Sequence, residues 1–159
     1  MHKKRLAFGF VATLLIIMLV AVGTAAAQPN NFRAHLSGGE EVPPVTTTAT
    51  GQAVFQLNSS GTALSFRLIV ANIDNVVAAH IHCAPAGVVG PVGVTLFSGG
   101  PSSVNGVLAQ GPITDPDAFG NDCGWAFLAD VIADMQIGDA YVNVHTLANL
   151  GGEVRGQIR

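Results

Sequence analysis

The sequence predicts an all-β fold, a Greek-key β-sandwich or barrel-like single domain with one short helix near residues 126–136. Three observations carry that reading. Beyond residue 28 most of the chain divides into short segments whose apolar and polar side chains alternate, the period of a strand with one buried face. Clusters of Gly, Pro, Asn and Ser separate these segments and interrupt regular structure. Helical spacing recurs in one place, where Trp125, Leu128, Val131, Ile132 and Met135 form an apolar stripe and Gly138 supplies a stop.

Taken in order, Asn31 to Leu36 is a first strand, and the glycines and prolines of Gly38 to Pro44 make a loop. Thr46 to Leu57 reads as extended, because the threonines are β-branched and Ala53, Phe55 and Leu57 alternate with Gln52, Val54 and Gln56. Asn58-Ser59-Ser60-Gly61 turns the chain into Ala63 to Val70, which completes a hairpin. Asp74 to Val77 leads into a strand carrying His80-Ile81-His82-Cys83. Ala84 to Gly90 is a loop, Val92 to Phe97 a strand, Ser98 to Gly106 a second loop, and Val107 to Ile113 a further strand. After the helix come a strand from Asp139 to Thr146, a loop from Leu147 to Gly152 and a last strand from Glu153 to Ile158. The apolar stripe of the helix is read as core packing.

Ahead of the domain, Lys3-Lys4-Arg5, an apolar run from Leu6 to Val22 and Ala25-Ala26-Ala27 have the order of a secretory signal peptide over residues 1–27, with cleavage before Gln28. An uncleaved anchor is the competing reading of a run that long. Cleavage leaves residues 28–159 as one domain in the extracellular space, periplasm or cell envelope, with no membrane association of its own. That domain holds Arg33, Arg67, Arg155 and Arg159 against ten acids and contains no lysine. Such a balance argues against a nucleic-acid partner, since phosphate neutralisation needs clustered cations.

In an exported chain, Cys83 and Cys123 are expected to pair as a disulfide. The alternative, Cys83 as a thiolate ligand, conflicts with strand alternation, which turns Cys83 away from His80 and His82. The same alternation puts His80 and His82 on one face, and Tyr141, Asn143 and His145 on one face of a later strand. If the two strands are neighbours, three imidazoles meet, a donor set suited to copper and, after it, zinc. His35 is a candidate fourth imidazole, and Asn143 a hydrogen-bond partner of the ligands. The alternative is that these histidines are merely packed and hydrogen-bonded.

Other polar groups read as structural. Glu40 and Glu41 are adjacent and so diverge in an extended chain. Asp115, Asp117 and Asp122 lack the ligand spacing of an EF-hand loop. Gly151-Gly152 permits a tight reversal, after which Glu153 and Arg155 share a face and are each expected to meet an opposite charge across the sheet. No catalytic fingerprint such as a nucleophile elbow or P-loop is present.

Phe32 to Pro44 (FRAHLSGGEEVPP), Ala49 to Ala53 (ATGQA), Ala79 to His82 with Gly90-Pro91-Val92, and Tyr141 to Thr146 with Gly152 to Ile158 together resemble the CHRD family, named for the repeated domain of chordin. The likeness spans essentially all of the domain. It implies a secreted β-sandwich-like module, found alone in bacterial proteins and as repeats in an animal antagonist of bone morphogenetic proteins. A His-x-His strand with a distant strand histidine is also similar to the copper ligands of copper–zinc superoxide dismutases, and that analogy points to His80, His82 and His145. Residues 83–144 add neither a bridging histidine nor an arginine to steer an anion, so efficient superoxide turnover is not expected. Two functions follow as expectations. One is an extracellular or envelope module that binds a protein or polysaccharide; the other is a copper- or zinc-binding protein.

Overall fold

The computed structural model describes residues 30–159; the signal-peptide reading of residues 1–27 lies outside them. Eight strands form one antiparallel sheet: β1 (Asn31–Ser37), β2 (Thr50–Leu57), β3 (Leu64–Ala71), β4 (Val76–Cys83), β5 (Val92–Ser102), β6 (Gly106–Ile113), β7 (Ala140–Thr146) and β8 (Val154–Gln157), with one α-helix, α1 (Leu128–Ile137), and a single 3-10 turn at Gly38–Glu40. Their order is β5-β4-β7-β8-β1-β2-β3-β6. The sheet curls until its outermost strands, β5 and β6, approach each other, giving a nearly closed barrel. Closure of this kind shields the edge groups that an open sheet would expose.

Alternation places a continuous apolar layer inside. Phe32, Ala34 and Leu36 of β1, Ala53 and Phe55 of β2, Leu64, Leu68 and Val70 of β3, Ala79 and Ile81 of β4, and Val142 and Val144 of β7 are all buried. Leu128, Val131, Ile132 and Met135 add the stripe of α1 to the same core. Burying one large aliphatic side chain stabilises by roughly 1.5–3 kcal/mol, so this layer is the main favourable term of the fold.

Several boundaries differ from the sequence expectation, each for a local reason. Thr46 to Thr48 do not open β2, because Thr47 turns its hydroxyl to accept the Ala49 N–H and to donate to Glu153 Oε1, a side-chain bond that competes with the strand ladder. β5 runs on through Ser98 to Ser102, where a loop was expected; it lies at the sheet edge, where Gly99, Gly100 and Pro101 are tolerated. The helix begins at Leu128 rather than Ala126, since Asp130 Oδ2 accepts the N–H groups of both Ala126 and Phe127 and sets the first turn. It stops at Gly138, which adopts the left-handed conformation at φ 81°. Among the described residues no helix is long and apolar enough to cross a membrane.

Cys83 and Cys123 form the expected disulfide across a sequence separation of 40. Cys123 belongs to the long β6–α1 connection, which Trp125 Nε1 also ties to Asp134 Oδ2 of α1 at 2.8 Å. Replacing both cysteines by alanine is expected to lower unfolding stability by about 2–4 kcal/mol, the range for a loop of this length, measured by urea denaturation against the oxidised protein.

Candidate metal centre

β4 and β7 are hydrogen-bonded neighbours, and their register sets His80 opposite Asn143, His82 opposite Tyr141 and Ala78 opposite His145. Directly opposed residues share a face, so Ala79, Ile81, Val142 and Val144 point into the barrel while the histidines point outward. On the other side of β4, β5 carries irregularities in register against Ala79–His80 and Ile81–His82. Such bulges locally increase twist and re-aim side chains.

One candidate ligand nitrogen from each of His80, His82 and His145 lies within 4.8 Å of the other two. Nitrogens each about 2 Å from one ion lie at most about 4 Å apart, so the rings must draw together to close the set around a metal. Backbone carbonyls orient two of the rings: Gly90 O faces His82 Nδ1 and Leu150 O faces His145 Nδ1, both at 3.0 Å. A carbonyl only accepts, so in the neutral ring each Nδ1 carries the hydrogen and each Nε2 keeps its lone pair. Those two Nε2 atoms and His80 Nδ1 are buried and have no hydrogen-bond partner. Three orphaned nitrogens at one place fit a transition-metal ion.

Burial holds all three imidazoles neutral. Desolvation depresses His80 to about 4, with His145 adding to the effect and Asp117 opposing it. His82 also falls to about 4, chiefly through burial, and the bond to Gly90 only partly offsets the fall. Burial likewise lowers His145, against the bond to Leu150. His82 and His145 are buried, whereas His80 is half-buried and marks the open side.

A network around the histidines escaped the sequence reading. Tyr141 stacks on His82, ring centroids 4.8 Å apart at 11°. Its hydroxyl donates to Gly90 O and accepts the Gly90 N–H, while Arg155 sits 3.4 Å above its ring centroid. Since β7 lies between β4 and β8, Tyr141 receives the imidazole from one side and the guanidinium from the other. Gly90 is the only residue type that fits, because a Cβ there would collide with the Cys83 carbonyl. Asn143 donates to Glu41 Oε2 and Gly151 O over long distances of 3.5 and 3.4 Å. Glu41 is buried, and desolvation pushes it up to about 7 despite Arg155 and Asn143.

His35 does not join the cluster. It is exposed on the outer face of β1, two strands from β7 and three from β4 at about 4.8 Å per strand. Cys83 is held in the disulfide and is no ligand. Glu153 and Arg155 do not each meet an opposite charge: Glu153 accepts the hydroxyls of Thr47 and Thr146, and Arg155, 2% exposed, stacks on Tyr141 and donates to Pro85 O. An arginine therefore does stand beside the pocket. It comes from β8, outside the 83–144 segment where the sequence argument looked, and Glu41 enters from the β1–β2 loop. Only the three-dimensional pairing of β7 with β8 brings Arg155 there, although the exposure expected of an arginine made its burial a departure in any case.

The model of the CHRD domain matches residues 32–158, and the chain belongs to that family. No curated protein and no solved structure is matched by the chain.

The depressed imidazoles fix a pH dependence. Below about pH 6.5 the unfolded chain binds protons that the folded one refuses, so the histidines contribute stability above that pH and lose it as pH falls toward about 4. Glu41 acts in the opposite sense, stabilising below its ordinary value of 4.5 and losing that contribution as pH rises through about 7. Three imidazoles outweigh one carboxyl. Urea midpoints of the metal-free protein are expected to fall between pH 6.5 and 4.5, and to fall more steeply for Glu41→Gln; a flat profile would contradict the burial of the histidines.

Proposed function

We propose that this protein is an exported metal-binding protein that holds copper, with zinc as second choice, on His80, His82 and His145. The observation that carries the proposal is the meeting of three buried, partnerless imidazole nitrogens on paired strands. Neutral imidazoles bind both ions, and copper stands above zinc in the stability order of divalent ions at such sites. Three protein ligands leave a coordination position free, which suits storage, delivery or reaction with a small exogenous ligand. Tyr141 acts through the ligands: it flanks His82, and together with Gly90 it holds that ring in place, whereas Asn143, expected to bond the ligands, bonds Glu41 and Gly151 instead. The disulfide and the family fit an oxidising, extracellular or periplasmic setting, and residues 1–27 are proposed as the removable export signal.

Calorimetric titration with Cu(II) and with Zn(II) tests this. One ion per chain, sub-micromolar affinity and a higher melting temperature are expected, since a ligand bound only by the folded state stabilises it. His80→Ala/His82→Ala/His145→Ala is expected to abolish tight binding while the metal-free domain stays folded. Weak uptake unchanged by the triple substitution would retire the metal reading.

A separate expectation concerns ligand geometry. Tyr141→Phe keeps the ring stacked on His82 but removes the hydroxyl that grips Gly90 at 3.0 and 3.3 Å. Copper affinity is expected to drop about 10- to 100-fold, the usual effect of losing support behind a ligand, while the ion-to-protein ratio stays the same.

A further inference from the structure

Arg33 and Arg159 exchange both backbone hydrogen bonds, at 2.8 and 2.9 Å. Their side chains therefore leave the same face of the sheet directly opposite each other. Arg33 is opposed in turn by Val54, Val54 by Arg67, and Arg67 by Gln110. The result is one row across the barrel wall, Arg159–Arg33–Val54–Arg67–Gln110, with every member exposed. Neighbouring strands are about 4.8 Å apart, which sets Arg159 and Arg33 at one such interval and Arg33 and Arg67 at two.

The charge distribution is one-sided. Among residues 30–159 there is no lysine, and Arg155 is buried, so this row holds every exposed arginine of the described domain. The strand positions beside it on the same face, Asn31, His35, Gln52, Gln56, Ser65, Ile69 and Gln157, bring amides, a hydroxyl, an imidazole and one aliphatic side chain but no carboxylate. Glu40 stands at the margin, in a cleft of about 310 Å³ that it lines with Arg33, His35, Gln157 and Arg159. A second cleft of about 340 Å³ lies on the other side of Arg33, lined by Val54, Gln56, Ser65 and Arg67 among others. Two guanidinium groups set directly opposite each other repel, so the row gains from an anion laid between them.

We propose that this face binds an acidic polysaccharide, its chain running across the strands so that successive carboxylates meet Arg159, Arg33 and Arg67 while the flanking amides engage sugar hydroxyls. Guanidinium forks match carboxylates in two-bonded geometry, and a polyuronide offers them at regular intervals along an extended chain. The row suits neither of the other common polyanions. Val54 is its one large apolar side chain, too little to anchor in a bilayer, and three cations on a domain with ten acids are too few for nucleic acid. The site is independent of the histidine centre, whose occupancy does not enter its test.

Affinity electrophoresis of the full-length protein through gels containing polygalacturonate, with neutral dextran as the control, tests the proposal. Retardation by polygalacturonate alone is expected, weakening as salt is added. Arg33→Gln/Arg67→Gln is expected to bind at least about tenfold more weakly, the loss of one charge-assisted contact or more, at an unchanged melting temperature and unchanged copper stoichiometry. Arg33→Lys/Arg67→Lys is expected to fall between the two, because charge survives without the fork. The proposal is overturned if the wild type is not retarded, if the Gln variant is retarded equally, or if vesicles containing phosphatidylglycerol bind more tightly than the polysaccharide.

Discussion

The pairing register of β4 with β7 is the constraint on which the rest of the molecule depends. With His82 opposite Tyr141 and His80 opposite Asn143, every odd residue of β4 from Ala79 onward enters the core and every even one faces outward. A slip of β4 by one residue would drive His80 and His82 into the apolar interior and lift Ala79 and Ile81 onto the surface. Each such exchange forfeits the burial of an aliphatic side chain and strands a polar ring. The hydrophobic pattern thus defends the histidine geometry without any histidine taking part. A candidate site built on such a register is held by the core.

Burial of the outward face is a second, separate achievement. Loops supply it: Pro85 to Gly90 over Arg155, Tyr141 and His82, Leu150 to Gly152 over His145 and Asn143, and Glu41 from beyond β1. Gly152, at φ 127°, presses its backbone so close to Asn143 and Glu41 that no side chain fits there. The cover removes water from three nitrogens without giving them partners. Each buried group left unbonded costs roughly 1–3 kcal/mol, and adjacent β-strands could have carried apolar residues at the same positions without that cost. The arrangement makes physical sense where ligand bonds replace the missing hydrogen bonds.

Much of this was legible in the chain. Strand alternation located every strand and both faces of His80-Ile81-His82, and the expectation of export paired Cys83 with Cys123, which the structure joins. What stayed hidden depends on contacts distant in sequence. Glu41 and Asn143 are 102 residues apart, and nothing in the local pattern of either shows that they touch. Arg155 was expected to find an opposite charge across the sheet, whereas its burial is decided by Tyr141 and by a loop from residue 85. His35 misled for the converse reason: it shares the outer face with the cluster, but alternation fixes a face and not a distance, and strand order puts β8 between β1 and β7.

The two candidate sites show how one rule yields two chemistries. The interior of this barrel is filled by apolar side chains, so its polar binding groups stand on the outer wall. On β4, β7 and β8 loops cover that wall, and its three imidazoles are held neutral and desolvated, a character that suits a metal ion. On β1, β2 and β3 no such cover exists over Arg33, Val54 and Arg67, and the two arginines remain hydrated and charged. Gln157 of β8, opposite Tyr141, stands between the two sectors and spends its amide on the backbone carbonyls of Ala84, Gly138 and Ala140. That amide is the structural seam between a dry sector and a wet one.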